Sequence, residues 1–274
     1  MQEQSAWPRP STRDTEDRRT GALPVEKAEV LERAMGRSGE LILRRSGADL
    51  EIILNGTFLI STANAASSVA LITAALPFLR SADRARRTED PSRKRGGGSV
   101  PHSNRTHRQR LGVLVGGLGL GFALDAALAE TGVGMATVAE YEPAIVDWFR
   151  TYGGDRAARF AEAELTGRAR IVIDDVADVM HDSPNAFDVV VLDTDNGPDW
   201  LVREGNAGLY DETGLALAHD ALRPGGVAAF WSPERYDWFA TRLTATFFRV
   251  DEVLAHDHVG NRWHEYVMYV AQRA

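Results

Sequence analysis

The chain has no cysteine among its 274 residues. Disulfides, thiolate nucleophiles, iron–sulfur clusters and cysteine-based zinc sites are therefore excluded. Lysine is nearly absent as well: Lys27 and Lys94 are the only two, and every other basic residue is an arginine. Neither follows a glycine loop, so a P-loop phosphate site is excluded. None lies beyond residue 94, so the C-terminal part holds no Schiff-base lysine. No apolar run approaches the roughly 18 residues that a membrane span needs. The polar residues 1–20 lack the apolar segment of a signal peptide. A cytoplasmic protein that engages no membrane is expected.

What is present is unevenly charged. The net charge is −8, yet residues 80–110 hold ten Arg or Lys against Asp83, Glu89 and Asp90, a net of +7. The remainder of the chain therefore carries −15. An acidic body with one basic strap argues against a dedicated nucleic-acid binder, in which positive charge covers a folded face. That strap, residues 81–109, is rich in Gly, Pro and charge and reads as a flexible linker. Residues 1–38 read as a polar tail, largely disordered, with a short helix over 25–35. Residues 39–80 read as a small β-hairpin module with a tight turn at Asn55-Gly56 and an apolar helix over 67–79.

From residue 110 to 274 the pattern alternates strand and helix. Strands are expected at 112–115, 136–140, 169–173, 187–192 and 227–232, with helices over 120–130, 143–152, 176–180 and 214–222. A terminal antiparallel pair is expected at 247–254 and 265–271. Alternation of this kind implies a doubly wound α/β sheet, with ligands at the carboxyl ends of the strands.

The residues at those ends are the informative ones. Val113-Leu-Val-Gly-Gly-Leu-Gly-Leu-Gly121 is a buried-strand run that turns into glycines, and Gly117, Gly119 and Gly121 allow close approach of backbone to a ligand. Glu140 ends the second strand, 19 residues beyond Gly121. That is close to the ~20-residue offset at which a carboxylate takes ribose hydroxyls. Asp174, Asp175 and Val176 follow the third strand, and Asp193, Thr194, Asp195 and Asn196 follow the fourth. One aspartate at a strand end is ordinarily a helix cap; four consecutive strands delivering glycine or polar residues to one edge point to a nucleoside site. Tyr210 and Trp231 are candidate substrate contacts. His256 and His258 lack a third ligand, so no metal site is expected.

On these motifs residues 110–274 resemble class I S-adenosylmethionine-dependent transferases. Within them the likeness is to the spermidine synthase (polyamine aminopropyltransferase) family. It rests on Gly116-Gly-Leu-Gly-Leu-Gly121, on Ala139-Glu-Tyr-Glu-Pro143 and on Asp174-Asp175-Val176. It rests also on Phe187-Asp-Val-Val-Val-Leu-Asp193 leading to Gly197-Pro198, on Leu209-Tyr210, on Leu222-Arg-Pro-Gly-Gly226 and on the preceding hairpin with Asn55-Gly56. The resemblance implies a Rossmann-like methyltransferase sheet with a small N-terminal β-hairpin module. It implies S-adenosylmethionine, or its decarboxylated form, as cofactor and a small-molecule acceptor such as an amine. Family members often dimerise through the hairpin module, so a homodimer is an expectation. By the same resemblance Glu140 takes the ribose hydroxyls, Asp175 accepts from the adenine amino group, and Asp193 faces the sulfonium.

Two departures bear on the reaction. Aminopropyltransferases carry an aspartate for the donor's amine where this chain has Leu120, and a second aspartate where it has Asn196. Methyl transfer is therefore favoured, with Asp193 nearest the reacting centre and Asp195 or Asn196 orienting the acceptor. Aminopropyl transfer with anchors moved to Asp195, Asp199 or Glu204 is the alternative. A non-catalytic nucleoside-binding protein is another, and an NAD-linked dehydrogenase a weaker fourth.

Overall fold

The structure is a computed structural model that describes residues 28–88, 110–194, 197–199, 201, 203–259 and 262–274. The first element is an antiparallel meander of four strands: β1 (Glu29–Met35), β2 (Glu40–Ser46), β3 (Asp49–Leu54) and β4 (Thr57–Ser61). Asn55 and Gly56, at φ 50 and 79, make the tight β3–β4 turn, the pairing of positive φ values that matches the twist of a hairpin. The Asn55 side chain reaches back to the β1–β2 turn, accepting from the Glu40 amide at 2.9 Å and donating to the Ser38 carbonyl at 2.8 Å.

Strand β1 corrects two expectations. Residues 25–35 read as a short helix inside a disordered tail, but Glu29–Met35 is a strand paired with β2. The cause is a bulge: the register slips between Val30 and Glu32, which leaves Leu31 as an extra residue. Leu31 and Ala34, three apart, then share the inward face, and their spacing imitates a helix. Residues 1–27 lie outside the described residues.

Ser61 caps a 3-10 turn, accepting from the Ala63 amide, and α1 (Ala65–Thr88) follows. This helix runs past residue 80, so the first part of the stretch read as a linker is helical, and 89–109 lie outside the described residues. α1 packs on the larger sheet and joins the meander to it.

The larger sheet contains β5 (Leu111–Gly116), β6 (Val133–Ala139), β7 (Ala169–Val172), β8 (Phe187–Leu192), β9 (Leu222–Ser232), β10 (Arg249–Val259) and β11 (Arg262–Gln272), in the order β10-β11-β9-β8-β5-β6-β7. β5 to β9 are mutually parallel, and β11 and β10 close one edge antiparallel. Strands β5, β6, β8 and β9 are buried on both faces along most of their length. Val113, Val115, Val189 and Val191 join a core shared with α1, α2 (Phe122–Ala129), α3 (Pro143–Tyr152) and α4 (Asp155–Leu165). Leu114, Val190, Leu192 and Phe230 join a second core under α5 (Val176–His181), α6 (Glu212–Ala221) and α7 (Asp237–Thr246). Helices α4 and α7 were not read from the sequence: each buries few side chains, Phe160 and Ala163 in one and Phe239 and Leu243 in the other. The chain leaves β5 toward β6 and β7, then returns to place β8 on the other side. This topological switch point opens a crevice at the carboxyl ends of β5 and β8.

Gly121 shows how tightly that crevice is built. It has φ +83, and an added Cβ would stand 2.2 Å from Phe149 Cε2. Phe149 is fully buried with its ring edge-on to Phe160, so it has nowhere to go. Gly121→Ala is expected to cost about 2–5 kcal/mol, the sum of left-handed strain and overpacking. A thermal melt should fall by roughly 5–15 °C.

Candidate active site

The crevice is a cleft whose walls come from both sheets. The meander contributes Leu41, Leu54, Leu59 and Ile60 as an apolar roof; the glycine turn after β5 and the ends of β6, β7 and β8 form the floor. Its mixed apolar and polar lining, with backbone exposed at the glycine turn, suits a nucleoside.

The glycine turn presents mainly backbone. Gly117 has φ +86, and a Cβ there would meet the Asp193 carbonyl at 2.7 Å; Gly119 has φ +50 and sits 3.1 Å, by the same measure, below Ile60. Leu120 turns into the core at 3% exposure. Its carbonyl accepts from Arg156 Nε at 3.0 Å, and that guanidinium lies 4.1 Å over the Phe122 ring. The position where aminopropyltransferases carry an acid thus sends its side chain away from the cleft.

Glu140 stands beside the turn. Its Oε2 accepts from the Leu118 amide at 2.8 Å and its Oε1 from the Glu142 amide at 2.9 Å. Burial pushes its carboxyl above the ordinary value, against the pull of those amides and of Gly119. A carboxylate oxygen has two acceptor directions, so this buried carboxylate is fixed in place and keeps capacity for ligand hydroxyls.

Asp193 follows β8, its amide donating to the Gly116 carbonyl at 3.1 Å. Burial raises its carboxyl too, offset in part by a hydrogen bond from Ser68. Ser68 lies on α1 and is buried, so it carries the meander side of the molecule to the strand ends. Asp195 and Asn196 lie outside the described residues.

Asp174 and Asp175 line the cleft with Val176. Asp174 is exposed and accepts from the Asp175 amide. Asp175 is already engaged twice: Oδ1 caps α5 through the Ala177 amide at 2.9 Å, and Oδ2 pairs with Arg203. The helix-cap role is therefore present, and any adenine contact has to share Oδ2 with that guanidinium. Arg203 also donates to Asn206 Oδ1 at 2.8 Å and stacks 4.1 Å over the Tyr141 ring.

Two expected substrate contacts are not brought to the cleft. Tyr210 is buried edge-on to Phe239 beneath α7, because the 3-10 turn Glu204–Leu209 ends by folding it into the second core. Trp231 leans on Tyr266 across the β9–β11 ladder. The alternative anchors Asp199 and Glu204 are exposed and do not line the cleft either. His256 faces Glu265 across the β10–β11 ladder, remote from these residues in the sheet order.

Ser68 and Arg203, which the sequence did not single out, complete the lining with Tyr141 and Glu142, which follow Glu140 in its motif, and Asn206, which the sequence offers as part of a substrate lid. Among the described lining residues five are acidic, Glu140, Glu142, Asp174, Asp175 and Asp193, and Arg203 is the one cation. The cleft thus favours a cationic ligand.

No protein-family model matches the chain, and no curated protein matches its sequence. Solved structures do. A spermidine synthase in complex with the transition-state analogue AdoDATO superposes with a TM-score of 0.66 at 18% identity, covering 90% of this chain and 74% of that one. The spermidine synthase from Thermotoga maritima superposes at 0.64 and 18%, covering 90% and 73%. The chain therefore has a spermidine synthase-like fold. No helix among the described residues is long and apolar enough to cross a membrane.

Proposed function

We propose that this spermidine synthase-like fold serves a transferase that binds S-adenosylmethionine and alkylates a small nucleophile, by methyl transfer. The observation that carries the reading is the meeting, in one roofed cleft, of the glycine turn, the fixed carboxylate of Glu140 and the half-buried carboxylate of Asp193. They come from the ends of three neighbouring strands, β6, β5 and β8. Glycines that admit no Cβ beside a buried carboxylate fit a nucleoside.

When bound, S-adenosylmethionine supplies a methyl group on a cationic sulfur, and that sulfur keeps the C–S electron pair as the methyl passes to the acceptor. Glu140 would hold the ribose hydroxyls, and Val176, which lines the cleft, would pack at the base. Asp193 places negative charge where the cation sits, and an acceptor enters against it. The apolar roof of Leu41, Leu54, Leu59 and Ile60 excludes water, which strengthens every charge interaction inside.

Leu120 favours methyl over aminopropyl transfer, because its buried side chain leaves the glycine turn with no carboxylate for a donor amine. One observation supports aminopropyl transfer instead: the acidic lining suits a polycationic substrate. Product analysis separates them. Incubation with S-adenosylmethionine and a panel of small amines, alcohols and acids should yield S-adenosylhomocysteine by mass spectrometry. Methylthioadenosine formed from the decarboxylated donor and a diamine would replace the methyl reading with the aminopropyl one.

A further inference from the structure

Glu142 is buried at 4% exposure, yet its two carboxylate oxygens point away from the floor of the cleft toward the roof. Oε2 accepts from the Arg37 amide and Oε1 from the Ser38 amide, each at 2.7 Å. These are consecutive residues of the β1–β2 turn, more than 100 positions away in the chain. The turn is shaped to the carboxylate: an added Cβ on Gly36 would lie 2.2 Å from Glu142 Oε2 and 2.7 Å from Leu41 Cδ1. The backbone amide of the same residue donates to Glu140 Oε1. One residue therefore holds the roof with its side chain and the nucleoside carboxylate with its main chain.

We propose that Glu142 is a positioning residue, a latch that makes docking of the meander and organisation of the Glu140 site a single coupled equilibrium. The proposal deepens the nucleoside reading above and rests on it. Charge-assisted bonds to two amides are strong, and removing their acceptor leaves two part-buried donors unpaired. With the latch broken the roof residues Leu41, Leu54, Leu59 and Ile60 lift from the glycine turn. The binding-competent fraction of molecules then falls, and the apparent affinity falls with it.

The full chain carrying Glu142→Gln is compared with wild type. A glutamine keeps the volume but turns an NH₂ group toward one of the two amides. Without ligand, hydrogen exchange should quicken about tenfold or more at Arg37 and Ser38, and also at Leu118, whose amide is bonded to Glu140 and not to Glu142. The Kd for S-adenosylhomocysteine should rise about tenfold, and Glu142→Asp, which keeps the charge, should recover part of both. Gly36→Ala attacks the latch from the opposite side with Glu142 intact. It should give the same pattern, and it decides the matter if Glu142→Gln does not fold. Faster exchange at Arg37 and Ser38 with Leu118 unchanged would overturn the coupling and leave Glu142 a structural tie. If wild type binds no S-adenosyl compound, the nucleoside reading fails, and Leu118 exchange in the ligand-free proteins still decides whether the two sites are coupled.

Discussion

Asp193→Asn is expected to melt at a higher temperature than wild type while binding S-adenosylmethionine roughly 100-fold more weakly. The two effects share one cause. Burial raises the Asp193 carboxyl above its ordinary value of 3.8, so the ionised side chain is penalised in the folded state. That penalty is absent below the unfolded value, grows as pH rises toward the raised folded value, and is constant above it. The amide escapes it and can still accept from Ser68. The difference in melting temperature between variant and wild type should therefore widen with rising pH from about 4 upward. In the cleft the same carboxylate offsets the charge of a sulfonium. Affinity for S-adenosylhomocysteine, whose sulfur is neutral, should change little, so the variant loses preference for the cationic compound rather than binding in general. A melting difference that does not vary with pH, or equal weakening for both compounds, would contradict this assignment.

Glu140→Ala should abolish nucleoside binding at a measurable cost to the fold. Its carboxylate serves the Leu118 and Glu142 amides, and each buried donor left unpaired costs about 1–3 kcal/mol. Release of the desolvated charge offsets part of that, since burial is the leading cause of its raised carboxyl. For the ligand, losing two hydrogen bonds to a charged group at about 1.5–3 kcal/mol each predicts a drop of at least ~100-fold in affinity for adenosine and S-adenosylhomocysteine alike. Calorimetric titration checks it. The contrast with Asp193→Asn is diagnostic: Glu140 acts on every adenosyl compound, Asp193 on the charged ones. Adenosine affinity within threefold of wild type would remove Glu140 from the site.

Much of the larger sheet was legible because β5, β6, β8 and β9 are buried on both faces and read as apolar runs, and the strands β5 to β8 lead into glycine or acid. The five parallel strands and the closing antiparallel pair all lie where those runs predicted. Strand β1 was not legible, since a bulge at Leu31 gave it the spacing of a helix. Of the site, the residues that follow strands in the chain could be read, and Gly117, Gly119, Glu140, Asp174, Asp175, Val176 and Asp193 all line the cleft. What could not be read depends on contacts between distant segments. Ser68 meets Asp193 only because α1 crosses the sheet, and Glu142 meets Arg37 and Ser38 across more than 100 residues. Tyr210 and Trp231 lie outside the cleft lining for the complementary reason. Proximity in sequence to a strand end does not say which face a side chain takes, and Tyr210 took the core.

Titration of the wild-type protein with S-adenosylmethionine and with its decarboxylated form, compared by calorimetry, bears on all of this at once. Leu120 in the core and Asp193 in the cleft predict that both cationic compounds bind and that the carboxylated one binds more tightly. Tighter binding of the decarboxylated form would contradict methyl transfer, and binding of neither would contradict the reading of the cleft as an adenosyl site.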